Sequence, residues 1–163
     1  MSKKLENKID KFLNIFIKAD KCITKNCSQQ KNKMNADKKA SNLYHDFSML
    51  KDIDRKIKLM NEFTDNKIIY EYEKCVFKHC KKIYYDLIKL FKSLLTEIPN
   101  SNPKRAELEN MIIEIETSLN KNTSFTKKEY KMYIKNINKL LHYFYNSLKK
   151  IFKDILKKSL NIF

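Results

Sequence analysis

The chain has 163 residues, 42% apolar and 33% charged, with no glycine, two prolines and a net charge of +16. That length and apolar content suffice for one domain with its own core and exclude a disordered tail. The missing glycine argues against tight hairpins, glycine-rich phosphate loops and Rossmann turns, each of which needs positive φ or close backbone approach.

Periodicity predicts an all-α, single-domain bundle of about five helices, three of them long. The first, roughly 4–34, carries Leu5, Ile9, Phe12, Phe16, Ala19 and Ile23 alternately four and three apart, a heptad-like, coiled-coil seam. The polar stretch "SQQKNKMNADKK" then weakens the pattern and turns the chain. A second helix, roughly 39–63, repeats Leu43, Phe47, Leu50, Ile57 and Met60, and in "TDNK" either Thr64 or Asp65 is the expected N-cap of the next.

The third, roughly 66–97, places Ile69, Tyr72, Val76, Ile83, Leu87, Leu90 and Leu94 on one face and stops at "IPNSNP". Pro103 suits the first turn of a shorter helix, roughly 103–121, with Leu108, Met111, Ile112, Ile115 and Leu119 inward. In "FTKKEY", Thr126 and Glu129 form a capping box, and Phe125 and Tyr130 sit where a hydrophobic staple packs. The last helix, roughly 127–161, then runs through Tyr130, Ile134, Ile137, Leu141, Phe144, Leu148, Ile151 and Ile155.

The four cysteines fall in two hexapeptides of equal gap, "CITKNC" (Cys22, Cys27) and "CVFKHC" (Cys75, Cys80). A five-residue step on a helix turns by ~140°, so each pair straddles its apolar seam. If helices one and three form an antiparallel hairpin, equal gaps bring Cys22 near Cys80 and Cys27 near Cys75, with local unwinding needed for both bonds to close. Cys27–Cys80 is the fallback if only one bridge forms. This plan resembles the twin-cysteine helical hairpins of mitochondrial intermembrane-space proteins, although those use gaps of three or nine. Two other readings stay open: free thiols acting as small buried hydrophobes, and a structural zinc on four thiolates, which a continuous helix would spread too widely.

All but Arg55 and Arg105 of the 35 basic residues are lysine. Abundant Lys, Asn, Ile, Tyr and Phe is also the composition of AT-rich coding DNA, so the charge has a compositional explanation beside a functional one. Lysine attracts phosphate without base preference, whereas bidentate guanine readout favours arginine. The candidate nucleic-acid contacts are Lys78, Lys81 and Lys82 beside the second cysteine pair, and Lys149, Lys150, Lys153, Lys157 and Lys158 near the end. Lys31, Lys33, Lys38 and Lys39 form a further basic cluster. The C-terminal segment also reads as a basic amphipathic helix, which makes a membrane surface a weaker candidate partner.

His45, His79 and His142 are scattered, and the acid pairs Asp52/Asp54 and Glu114/Glu116 face different ways on a helix. No catalytic spacing is present, so no enzyme, cofactor or metal is expected. The expected function is a non-enzymatic structural or protein-interaction module, stapled by its cysteine pairs, with a protein partner or a second copy. It would be a component of a larger assembly such as a virion. The alternative is a lysine-rich, sequence-nonspecific nucleic-acid-associated protein, a polyanion binder. Lacking a secretory signal or spanning segment, the chain is expected to be intracellular.

Overall fold

Short polar side chains that can bond a nearby backbone N–H compete with helix continuation, and one of them, Asp52, cuts an expected helix, whereas the further breaks at Cys27 and Cys80 carry no side-chain cap. The computed structural model describes residues 3–50, 52–121 and 126–160, with side chains at all of these except 4–6, 9, 145 and 147–160. It contains α1 (Lys3–Asn26), α2 (Ser28–Ala36), α3 (Lys38–Met49), α4 (Ile53–Asp65), α5 (Lys67–His79), α6 (Lys81–Leu95), α7 (Pro103–Asn120) and α8 (Lys127–Leu160). There is no strand among the described residues. The all-α class agrees with expectation, but the count of about five does not: the first three expected helices each divide in two.

The caps explain several ends. Asp37 accepts from the Ala40 N–H at 2.9 Å to start α3, and Asp52 accepts from Asp54 N–H at 3.0 Å to start α4 inside the expected 39–63 helix. The expected caps Thr64 and Asp65 are corrected to Asn66, whose side chain takes the N–H groups of Ile68 and Ile69 at 3.1 and 3.0 Å. Thr64 instead donates back to the Met60 carbonyl at 3.0 Å, within α4. Asp65 pairs with Lys127 and Lys131 of α8 at 3.3 and 3.0 Å. Pro103 occupies the first turn of α7 behind the cap Asn102. At α8 the Glu129 N–H reaches Thr126 Oγ1 at 3.2 Å, while Phe125 of the expected staple lies outside the described residues.

The α1–α2 segment runs antiparallel to α5–α6, since Lys8 meets Glu97, Cys22 meets Cys80 and Cys27 meets Cys75. After α6 the chain folds back as α7, the turn held by Arg105 donating to the Ile98 carbonyl at 2.8 Å. α8 then lies antiparallel to α7, joined by Asn136 to Glu114 at 2.7 Å and Lys121 to Glu129 at 3.6 Å, and also covers α4. α6 touches α1, α7 and α8, and its Phe91 is wholly buried, stacked on Phe144 with centroids 5.3 Å apart. The expected inward faces of the third and fourth helices are buried, with Ile83 only partly so. α1 keeps its expected seam only in part: Phe12, Ala19 and Ile23 are partly buried and the side chains of Leu5 and Ile9 lie outside the described residues, but Phe16 is exposed while Ile15 and Lys8 are buried. The cause is local. Lys8 carries its ammonium into an ion pair with Glu97 at 2.7 Å, and Cys22 turns the same face toward α6. Among the described residues no helix is long and apolar enough to cross a membrane.

Candidate functional site: a double cysteine clamp and its surroundings

Both cysteine hexapeptides end on a helix break. Cys27 has φ −128°, ψ 20° and Cys80 has φ −120°, ψ 31°, which opens ψ by roughly 60–70° from the α-helical value. Helical bonding survives up to each break, with Cys27 N–H on the Ile23 carbonyl and Cys80 N–H on the Val76 carbonyl, both at 2.8 Å. Each "CxxxxC" is therefore the last turn of one helix closed by a junction cysteine. The structure sets in-helix Cys22 against junction Cys80, and junction Cys27 against in-helix Cys75, at disulfide distance with Cα separations of 5.9 and 6.0 Å.

The two halves of this clamp mirror each other. Cys22 Sγ lies 3.6 Å from the His79 carbonyl, and Cys75 Sγ lies 3.6 Å from the Asn26 carbonyl, each carbonyl belonging to the residue before the junction. The breaks supply the unwinding that two bonds across a straight helix pair would require. Burial is unequal: Cys27, Cys75 and Cys80 are buried, and Cys22 keeps partial solvent contact beside Asn26. With each sulfur turned to one other sulfur, the four do not present a tetrahedral ligand set. No group of three or more His, Cys, Asp or Glu is placed to hold a metal among the described residues.

The candidate lysines scatter around the second junction. Lys78 is exposed at the end of α5, Lys81 lies over the Phe77 ring at 5.4 Å, and Lys82 turns into the groove between α1 and α6. The side chains of Lys149, Lys150, Lys153, Lys157 and Lys158 lie outside the described residues. Of the other basic cluster, Lys33 lines a groove between α2 and α5 together with Lys67. His45 and His79 are exposed, and His142 lies within 3.3 Å of Asn146. The structure brings no two histidines together among these contacts.

A second polar cluster was not foreseen. Tyr44 stands edge-on to Tyr72 at 5.9 Å, Tyr84 to Tyr133 at 5.0 Å, and Tyr130 to Tyr70 at 5.1 Å. Glu73 acts electrostatically on Tyr44, Tyr72, Tyr84, Tyr130 and Tyr133. Burial raises all five phenols, Tyr72 to about 12, with the Glu73 charge adding to the effect. Glu73 as a residue keeps some solvent contact, yet desolvation of its carboxyl raises its pKa to about 7. The signal in sequence was thin: Glu73, between Tyr72 and Lys74 in "YEYEK", reads as surface unless its face is known. Comparison with protein-family models, curated proteins and solved structures finds no match to this chain.

Proposed function

We propose that this protein is a non-enzymatic interaction module, a helical platform that presents the outer face of α1 to a protein partner within a larger assembly. The observation that carries the reading is an apolar patch. Leu13, Phe16 and Ile17 are 52%, 47% and 54% exposed at i, i+3 and i+4, and Met49 is 63% exposed across a groove that Phe16 also lines. Three large apolar residues on one exposed helical stripe mark a surface that another helix can cover. The cysteine pairs support it, because they fix α1 against α5–α6, and among the described residues Ile15 is the one large apolar side chain that α1 buries.

The test is site-specific photo-crosslinking in the protein's natural source. A crosslinker at Ile17 is expected to yield one discrete protein adduct, absent when Leu13→Asp is added and absent with the crosslinker at exposed Lys128. Its mass separates a second copy from a different protein. No adduct, or one that survives Leu13→Asp, removes the reading. The second reading, association with nucleic acid, has a separate observation in its favour: four lysines line one groove.

A further inference from the structure

The groove between α1 and α6, about 500 Å³, is walled by Lys11, Asn14 and Lys18 on one side and Lys82, Asp86, Lys89 and Ser93 on the other. Its apolar lining, Ile15 and Leu90, is buried. All four lysines are exposed, and none has an ion-pair partner among the described residues. On each helix the two lysines are seven residues apart, hence ~10.5 Å along the axis and within ~20° of one face. Two antiparallel helices therefore present two facing rows of positive charge, with Asp86 the one acid in the lining.

We propose that this groove binds a single nucleic-acid strand through its phosphates, without reading its bases. Lysine is a flexible point charge suited to phosphate and poorly suited to base edges, and among the described residues no aromatic ring lines the groove for a base to stack on. An anionic membrane fits less well. The exposed apolar residues Leu13 and Ile17 lie ~160° around α1 from Ile15, whereas Lys11 and Lys18 lie ~40–60° from it. The groove thus offers a bilayer charge but no exposed large side chain to insert. The Cys22–Cys80 pair sits four residues from Lys18 and two from Lys82 and holds the two rows at a set separation.

The experiment is fluorescence anisotropy of the full chain with a labelled mixed-sequence single-stranded DNA of about 20 nucleotides, over a salt series. Lys11→Gln/Lys18→Gln/Lys82→Gln/Lys89→Gln is compared with Lys58→Gln/Lys74→Gln/Lys128→Gln/Lys135→Gln, which removes the same charge from exposed sites elsewhere. Losing about four phosphate contacts flattens the log–log salt slope by about 3 and weakens binding at least about tenfold at low salt. The control set is expected to change affinity less than about threefold. Equal losses in both sets would show that bulk charge, not the groove, binds. Equal or tighter groove-dependent binding to the duplex overturns the single-strand assignment, and groove-dependent binding only to phosphatidylserine vesicles overturns nucleic acid altogether. Circular dichroism checks that both variants fold. If the fourfold groove variant does not, Lys18→Gln/Lys89→Gln is read instead, with about half the slope change expected.

Discussion

α7 and α8, which lie against each other, each bury a row of apolar side chains: Leu108, Ile112, Ile115 and Leu119 on α7, and Tyr133, Ile134, Ile137 and Leu140 on α8. Where α1–α2 meets α5–α6, α1 and α2 bury far less. Ile15 and Met34 are the large apolar side chains they bury among the described residues, Phe12 and Ile23 pack partly buried against the core, and further ties are the Lys8–Glu97 ion pair, the Lys8 ammonium donating to the Ser93 carbonyl at 3.3 Å, and the two cysteine pairs. Among the described residues, the covalent links fall where less apolar side chain is buried. Burial of apolar area and reduction of unfolded-chain entropy are interchangeable means to one end, and this molecule uses each in a different half.

The largest test removes the clamp. In the chain-entropy model one pair closing a 48- or 58-residue separation contributes about 4 kcal/mol, and the second, closing a ring of about ten residues once the first exists, contributes about 3 kcal/mol. Full reduction, or Cys→Ser at all four positions, is expected to lower the urea-unfolding free energy by about 7 kcal/mol. Hydrogen exchange should then accelerate first in α1–α2 while α7–α8 stays protected. Uniform exchange across both halves, or unchanged stability, would break the comparison.

Next in size is Phe91→Ala in α6. Phe91 is wholly buried and stacks on Phe144, so truncation is expected to cost about 3–5 kcal/mol. The cost should be similar with and without reductant, because the cavity lies on the α8 side. A cost that vanishes on reduction would place Phe91 in the clamped half.

Glu73 tests a tie that belongs to neither scheme. Its folded pKa is raised from 4.5 to about 7, so the native state holds a proton that the unfolded chain releases. This stabilisation is full below about pH 4.5 and is lost as pH rises through 7. Glu73→Gln should therefore match the parent near pH 4.5 and exceed it at pH 8 by about 1–3 kcal/mol, trimmed from the full shift because the residue is partly exposed. The five phenols stay neutral over that range, their pKa values being raised. A pH-independent difference between the two proteins would remove Glu73 from the cluster.

How legible each half was follows from the same contrast. α7 and α6 could be read directly, because Leu108 to Leu119 and Leu87 to Leu94 repeat on faces that are buried. α1 could not. Its repeat of Phe12 and Phe16 is as regular, but a buried Lys8 and the Cys22 link set which face turns inward, and neither the pairing of a lysine nor the bridging of a cysteine shows in a periodic reading. The breaks at Cys27 and Cys80 were hidden for a related reason: no glycine or proline marks them, since the torsion change is modest and φ remains negative. The tyrosine–Glu73 cluster was hidden because tyrosine fits either core or surface.

The smallest effect asks whether the halves differ in local as well as global stability. Asn66 caps α5 in the clamped half with two backbone N–H acceptances, and Asn102 caps α7 with one, at 3.0 Å. Replacing either by Ala leaves helix-end donors without their side-chain partner and is expected to cost about 1 kcal/mol. The cap at Asn66 sits nine residues from Cys75, across more than two turns, so reduction should leave its cost unchanged, as it should for Asn102. Equal costs in urea titrations, oxidised and reduced, would mean that the clamp restricts the unfolded chain without tightening α5 itself. A cost at Asn66 that appears only after reduction would mean instead that the cysteine pair holds α5 helical, and that the entropic account of the clamped half is wrong.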